Sequence, residues 1–405
     1  MKLSIFIFLH FLLIFFHVTF SVSQQYSSIF NFGDSLSDTG NLPLILNAST
    51  LPIGSLPYGM TFFGRPTGRF SNGRLIIDFL AGAFGFPFLP PFLARGKDFH
   101  QGANFAVSGA TAIDIEFFQG RGLGDIARVN QSLSVQLRWF EELKPSLCNS
   151  TRSCKDYFSK SLFMIGEIGV NDYSTPLRAR RSLKEVRSYV PKVIEAVSTV
   201  TERLIENGAV DLVVAGDPPL GCFGVFLTLY MSSKKEDYDP STGCLNKLND
   251  LTRYHNRMLR RLLEQFRTKY ARLRFTYADY YDPVIRLARN PTRYGFSNGA
   301  LKVCCGGGGS YNFNATLFCS QPGFNVCKDP STYVGWDGIH LTEAAYRFIA
   351  MGLLNGPFAD PPLMRSGVAV DTSLANQNFL KQKTLYHLAS TIFCIFLLAC
   401  GSVSS

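Results

Sequence analysis

Ser28-Ile29-Phe30-Asn31-Phe32-Gly33-Asp34-Ser35-Leu36-Ser37-Asp38-Thr39-Gly40-Asn41 is the stretch that decides the fold. Its first five residues read as a buried strand. They run into Gly-Asp-Ser, a turn sequence that leaves the hydroxyl of Ser35 just past the strand end. Apolar runs of strand length recur at 104–107, 161–165, 210–215 and 273–277. Amphipathic stretches of helical length lie between them. One covers 183–207 and is closed by Gly208 as a C-cap; another covers 246–270, with Leu248, Leu251, Tyr254, Met258, Leu262 and Phe266 near helical spacing. Strand alternating with helix predicts crossover units and a parallel sheet buried on both faces. Such sheets bind ligands beyond the carboxyl ends of their strands. Ser35 follows the first strand, Gly109 the second and Asn171 the third, so three chemical candidates converge where such a sheet keeps its site.

The residue types at those ends, with one loop near the C-terminus, are the parts of acyl transfer. Ser35 supplies a nucleophile. Asp337-Gly338-Ile339-His340 puts a base three residues after a carboxylate that can hold its tautomer. Asn171, in Gly169-Val170-Asn171-Asp172, offers an amide that can donate to an oxyanion. The other histidines are poorer bases. His10 and His17 fall in the leader, and His387 in an apolar tail. His255 is expected on the face of the 246–270 helix, and His100 has only Asp98 nearby. Trp336 precedes the Asp337 loop and is expected to wall a pocket. Gly295-Phe296-Ser297-Asn298-Gly299 matches a nucleophile-elbow pattern but lacks the strand before it and the helix after it, so Ser297 is read as a turn serine.

Residues 1–23 read as a secretion signal: Lys2, an apolar run to Phe20, then Ser21-Val22-Ser23 for cleavage. Sequons at Asn47, Asn130, Asn149 and Asn314 agree with export. So do eight cysteines in the body of the chain, for which Cys148–Cys154 and Cys222–Cys244 are plausible short loops. The connectivity of Cys304, Cys305, Cys319 and Cys327 is left open. The 405 residues carry a formal net charge of +10, which favours acidic partners such as pectin, anionic membranes or nucleic acid. No long basic block appears; Arg178-Ala179-Arg180-Arg181 and Ser233-Lys234-Lys235 are read as solvated loops. The apolar run at 386–399 is shorter than the roughly 20 residues of a membrane span. With the polar stretch before it, it resembles a lipid-anchor signal, but a weakly packed tail is favoured. The division expected is leader 1–23, main domain 24–358 and tail 359–405. Cys-x-x-Cys pairs are absent, and neither metal nor organic cofactor is expected.

Four blocks in order carry a family resemblance spanning about residues 27–355. They are Phe-Gly-Asp-Ser at 32–35 followed by Ser-Asp-Thr-Gly-Asn at 37–41, Gly-Ala-Asn-Phe-Ala-Val-Ser-Gly-Ala-Thr-Ala at 102–112, Gly-Glu-Ile-Gly-Val-Asn-Asp-Tyr at 166–173, and Asp-Gly-Ile-His-Leu-Thr at 337–342. Asp-Pro-Pro-Leu-Gly-Cys at 217–222 adds to it. The chain resembles the plant secreted GDSL esterases/lipases of the SGNH hydrolase superfamily. That resemblance implies Ser35 as nucleophile, His340 as base and Asp337 as its orienter. It also implies an oxyanion hole from the N–H groups of Ser35 and Gly109 and the amide of Asn171. Ser108-Gly109 stands where the family often has Gly-Gly, and the second glycine is kept.

The fold expected is a three-layer α/β/α sandwich with a five-stranded, mostly parallel sheet of flavodoxin-like type. The function expected is secreted serine ester hydrolysis. The resemblance implies substrates among acyl lipids, acetylated cell-wall polysaccharides and esters of specialised metabolites, and the chain's general look is similar to members acting on alkaloid or phenolic-choline esters. No lid-like apolar helix stands out, so short-acyl or soluble esters are favoured. The rival expectation is a non-catalytic secreted glycan-binding protein using the same cleft. A nucleic-acid partner rests on charge alone and is not expected of an exported, glycosylated chain.

Overall fold

The computed structural model describes residues 25–364 apart from Arg128. The leader and the tail beyond 364 lie outside the described residues. Five parallel strands form the sheet's body: β1 (Ser28–Phe32), β2 (Gly102–Asn104), β3 (Ser161–Ile165), β4 (Asp211–Ala215) and β5 (Arg274–Ala278), in the order β2-β1-β3-β4-β5. Four of the five are buried along their whole length. That matches near-continuous apolar runs rather than alternation.

Strand order fixes the layers. The chain steps outward from β1 to β2, then back past β1 to β3, β4 and β5. Right-handed crossovers put the β1–β2 connection, with helix α1 (Ile76–Ala83), on one face. The connections that follow lie on the other: α2 (Leu133–Leu147) with α3 (Thr151–Ser159), α5 (Leu183–Glu206) and α6 (Asn246–Lys269). Accordingly α5 packs on α2 and on α6, while α7 (Glu343–Asn355) returns to pack on α1. Gly208, with φ +112°, stops α5 as its sequence predicts.

Two differences from the sequence reading have physical causes. The sheet has six strands rather than five, because β6 (Ala359–Asp360) joins antiparallel to β5 with Tyr277 opposite Asp360. Its two residues lie between Pro357 and Pro361, and prolines confine a segment to a sheet edge. The packed body thus runs past residue 358, where the sequence places the start of the tail; Leu363 is buried and its N–H donates to Leu353 O. The second strand is Gly102–Asn104, not 104–107. Phe105 and Val107 are fully buried and bond to Asn31 O and Gly33 O, but they have already left the ladder to form the turn at Gly109. The reversal of strand order at β1 leaves a crevice between the carboxyl ends of β1 and β3, and the candidate site lies there.

Candidate active site

Ser35 sits on a loop that every neighbouring element pins. Gly33 has φ +144°, and a Cβ there would lie 2.7 Å from Ser37 Oγ and 3.0 Å from Glu167 O, so only glycine fits. Gln136 of α2 clamps the same residue from both sides: Gly33 N–H donates to its Oε1 (2.9 Å) and its Nε2 donates to Gly33 O (2.8 Å). Past Ser35, the Asp38 carboxylate accepts from the N–H groups of Gly40, Asn41 and Leu42 and from the N–H and hydroxyl of Ser108. Asn41 Nδ2 in turn donates to Asn104 O and Ala106 O. The blocks at 32–41 and 102–112 are therefore one hydrogen-bonded unit, and Ser35 and Gly109 face one cleft.

The histidine reaches this loop from the far end of the chain. His340 Nε2 lies 2.8 Å from Ser35 Oγ, and its Nδ1 lies 2.8 and 2.9 Å from the two Asp337 oxygens. Asp337 also accepts from the Tyr58 hydroxyl (2.7 Å) and from the N–H of His340 (3.0 Å). Burial pushes the Asp337 carboxyl up, but the adjoining His340 and the hydrogen bonds from His340 and Tyr58 hold it below the usual carboxylate range. Phe70 stacks on the imidazole with ring centroids 4.3 Å apart. Trp336 does not wall the cleft; it is fully buried and meets Tyr58 edge-on.

The loop's support comes from disulfides. Cys304 N–H donates to Gly335 O and Cys305 N–H to Trp336 O, while Trp336 N–H donates to His340 O. Those two cysteines are bonded to Cys327 and Cys319, which resolves the pairing that the sequence left open. Cys148–Cys154 and Cys222–Cys244 form as expected.

On the third side, α4 (Val170–Arg178) begins with Asn171 at the cleft. Its Nδ2 donates to Asp34 Oδ2 (2.7 Å) and to Ala110 O (3.0 Å), so both amide hydrogens are engaged within the protein. The N–H groups of Ser35 and Gly109 donate to no acceptor among the described residues. Asp172 ties α4 to the Gly109 loop by accepting from Ala112 and Ile113 N–H; burial pushes its carboxyl up to about 7 despite those bonds. The cleft encloses about 370 Å³. Its walls are largely apolar, with Leu42, Leu46, Leu51, Val129, Phe223 and Ile339 around the polar floor of Ser35, Asn171 and His340. Arg178, read from sequence as part of a solvated loop, closes α4 and lines the cleft. Among the described residues no group of three or more His, Cys, Asp or Glu side chains is arranged to hold a metal ion.

Elsewhere, Ser297 lies exposed in a turn after a short 3-10 helix. His100 is exposed against Asp98. His255 is not on the surface of its helix: it is buried, hydrogen-bonded to Tyr173 (2.7 Å), and burial holds its pKa down near 3. Asn47, Asn130 and Asn149 are exposed and Asn314 half-buried. Tyr58, Phe70 and Gln136 escaped the sequence reading. Their partners are distant in the chain, and nothing local marks them. Glu167 and Asp217 lay inside quoted blocks but had no role assigned.

The family described as GDSL-like lipase/acylhydrolase matches residues 29–353. The chain belongs to this family. A GDSL esterase/lipase of Arabidopsis thaliana is 50% identical over 343 residues, 83% of this chain and 92% of the relative. A second from the same plant is 45% identical over 363 residues, covering 88% and 92%. A sinapine esterase of Brassica napus is 44% identical over 342 residues, covering 84% and 87%. As a GDSL esterase/lipase, the protein is a carboxylic ester hydrolase. Its mostly parallel α/β sheet and the strand order described above are those of an SGNH hydrolase fold.

Proposed function

We propose that the protein is a secreted serine esterase in which Ser35 is the nucleophile, His340 the general base and Asp337 the group that orients it. One observation carries this reading: an unbroken hydrogen-bonded line from Ser35 Oγ through His340 to Asp337, on the floor of the cleft. His340 takes the Ser35 proton as the hydroxyl attacks the ester carbonyl, and then protonates the leaving alcohol. Water activated in the same way hydrolyses the acyl-enzyme. The N–H groups of Ser35 and Gly109 and the amide of Asn171 receive the oxyanion. Asn171 joins them by exchanging its bond to the neutral Ala110 carbonyl for one to the oxyanion while keeping Asp34. No step in this scheme calls on a metal or cofactor.

The substrate read from the cleft is a small ester with an apolar acyl or aryl part: the walls are largely apolar, and the volume suits a small molecule. Short-acyl or soluble esters fit it better than long-chain lipid. The ester named for the Brassica relative falls within this class. Four disulfides and four surface or half-buried sequon asparagines support export to an oxidising compartment. The leader and any lipid anchor belong to stretches outside the described residues. The test is hydrolysis of p-nitrophenyl acetate, butyrate and palmitate by the purified protein beside Ser35→Ala. Turnover on acetate and butyrate that vanishes in the variant supports the reading. Palmitate as the best substrate overturns the short-acyl assignment, and full turnover by Ser35→Ala overturns the nucleophile.

A further inference from the structure

Three carboxyl groups lie in line behind the oxyanion side of the cleft, and the scheme above uses only the first, Asp34, as an acceptor from Asn171. Asp34, Glu167 and Asp217 are each at most 1% exposed. Asp34 accepts from Leu36 N–H at Oδ1 (2.9 Å) and from Asn171 Nδ2 at Oδ2 (2.7 Å). Glu167 Oε1 accepts from Val170 N–H (3.1 Å) at the start of α4. Glu167 Oε2 and both Asp217 oxygens meet no N–H or O–H donor among the described residues. His255 Nε2 stands 3.6 Å from Asp217 Oδ1, beyond a hydrogen bond. Glu167 is instead in hydrogen-bonding contact with Asp34 on one side and Asp217 on the other. The backbone is shaped to allow this: Gly169 has φ +149°, and a Cβ there would lie 3.0 Å from both Asp217 oxygens.

Two carboxylates in contact away from water cannot both be ionised. Two such contacts among three groups require two shared protons, which leaves one negative charge for the string. Burial, with the mutual repulsion of the three groups, pushes all their pKa values up, as this sharing demands. The N–H donors decide where the charge rests. Asp34 has two, Glu167 one and Asp217 none. The group best supplied with N–H donors, Asp34, is assigned the anion, and there it grips the Asn171 amide through a short, charge-assisted bond. The second amide hydrogen rests on a neutral carbonyl, the weaker of its two acceptors, and is the one free to turn to substrate.

We propose that Asp34, Glu167 and Asp217 form a proton-sharing string that anchors Asn171, and that Glu167 is a positioning residue for the oxyanion donor. The proposal rests on the serine-esterase reading above. It predicts an interaction felt in the transition state more than in substrate binding, because an amide held loosely costs oxyanion stabilisation without altering the walls that bind the ester.

The experiment compares wild type, Ser35→Ala, Glu167→Leu, Glu167→Gln and Asp34→Asn on p-nitrophenyl butyrate, with melting temperatures and infrared difference spectra in the carboxyl C=O region at neutral pH. Glu167→Leu should lower kcat by roughly 10- to 100-fold with KM within about twofold, a part of what losing one oxyanion donor costs. Glu167→Gln, whose amide can still donate to Asp34, should recover most of that loss. Asp34→Asn keeps the shape but removes the charge, and should lower kcat with KM held. The wild-type spectrum should contain a protonated-carboxyl band that Glu167→Gln removes, a result independent of whether Glu167→Leu folds. Wild-type kcat in folded Glu167→Leu or Asp34→Asn, a loss that Gln does not recover, or no such band in wild type would each overturn the proposal. Full activity in Ser35→Ala would instead sink the esterase reading itself.

Discussion

The two halves of the candidate site are held by different means. The Ser35 half belongs to the sheet. Its loop leaves β1, and its fixing groups, Gln136, Asp38, Asn41 and Asn104, come from elements that the sheet itself brings together. The His340 half hangs from a segment with little regular structure. The main-chain bonds of Cys304 and Cys305 carry it, two disulfides staple that carrier, and Tyr58 braces Asp337 from a loop 279 residues earlier. The comparison teaches that Ser35 is placed by the fold and His340 by cross-links. Perturbations should therefore separate the two halves.

The largest effect expected is that of removing either end of the line. Ser35→Ala and His340→Ala should each lower kcat on p-nitrophenyl butyrate by about 10⁶-fold, and the double variant by no more, because the pair acts as a unit. Asp337→Asn should cost about 10⁴-fold, through the wrong imidazole tautomer. Additive losses in the double variant would break the picture of two halves meeting at one bond. Next comes Asn171→Ala, expected to lower turnover by about 10²–10³-fold. Asp34 and Ala110 O each lose a donor in this variant, so a stability cost of about 1–3 kcal/mol should also appear in denaturant titration.

Cross-links come third. Replacing Cys305 and Cys319 with serine should lower stability by about 2–5 kcal/mol. It should also slow acylation by loosening His340, whereas replacing Cys148 and Cys154, remote from the histidine loop, should lower stability and leave the turnover of the folded fraction near wild type. Equal effects on turnover from both pairs would contradict the division of labour. The fourth effect is on pH dependence. His255 has a native pKa near 3, against about 6.5 unfolded, so between those values the unfolded chain binds the extra proton and stability rises with pH. Its share is about 1.4 kcal/mol per pH unit, and His255→Gln should remove that slope from the acid limb of the stability curve. Asp337 has the same sign for a different reason: in the native state its charged form is the favoured one. Its lowered native pKa adds stability above about pH 4, which is lost as pH falls through the native value.

How much of this was legible in the sequence follows the same division. The sheet side announces itself locally. Apolar runs mark the strands, and Gly33, Ser35, Gly109 and Asn171 each fall just past one, so periodicity and turn chemistry lead to the crevice. The short Asp337–His340 spacing is also local. Sequence cannot show what crosses the chain: that Tyr58 and Phe70 close on the Asp337–His340 pair, that Gln136 clamps Gly33, or which of the last four cysteines pair. It misplaced Trp336 and His255 because an aromatic next to a catalytic motif and a histidine in an amphipathic helix carry no mark of burial. The sixth strand was invisible because two residues between prolines give no periodicity.

The most direct test of the central claim is labelling by a fluorophosphonate probe, read by mass spectrometry of the modified peptide. The account predicts one label per folded molecule, on Ser35, lost in Ser35→Ala and slowed by orders of magnitude in His340→Ala. A label on another residue, or labelling that His340→Ala leaves unchanged, would contradict it.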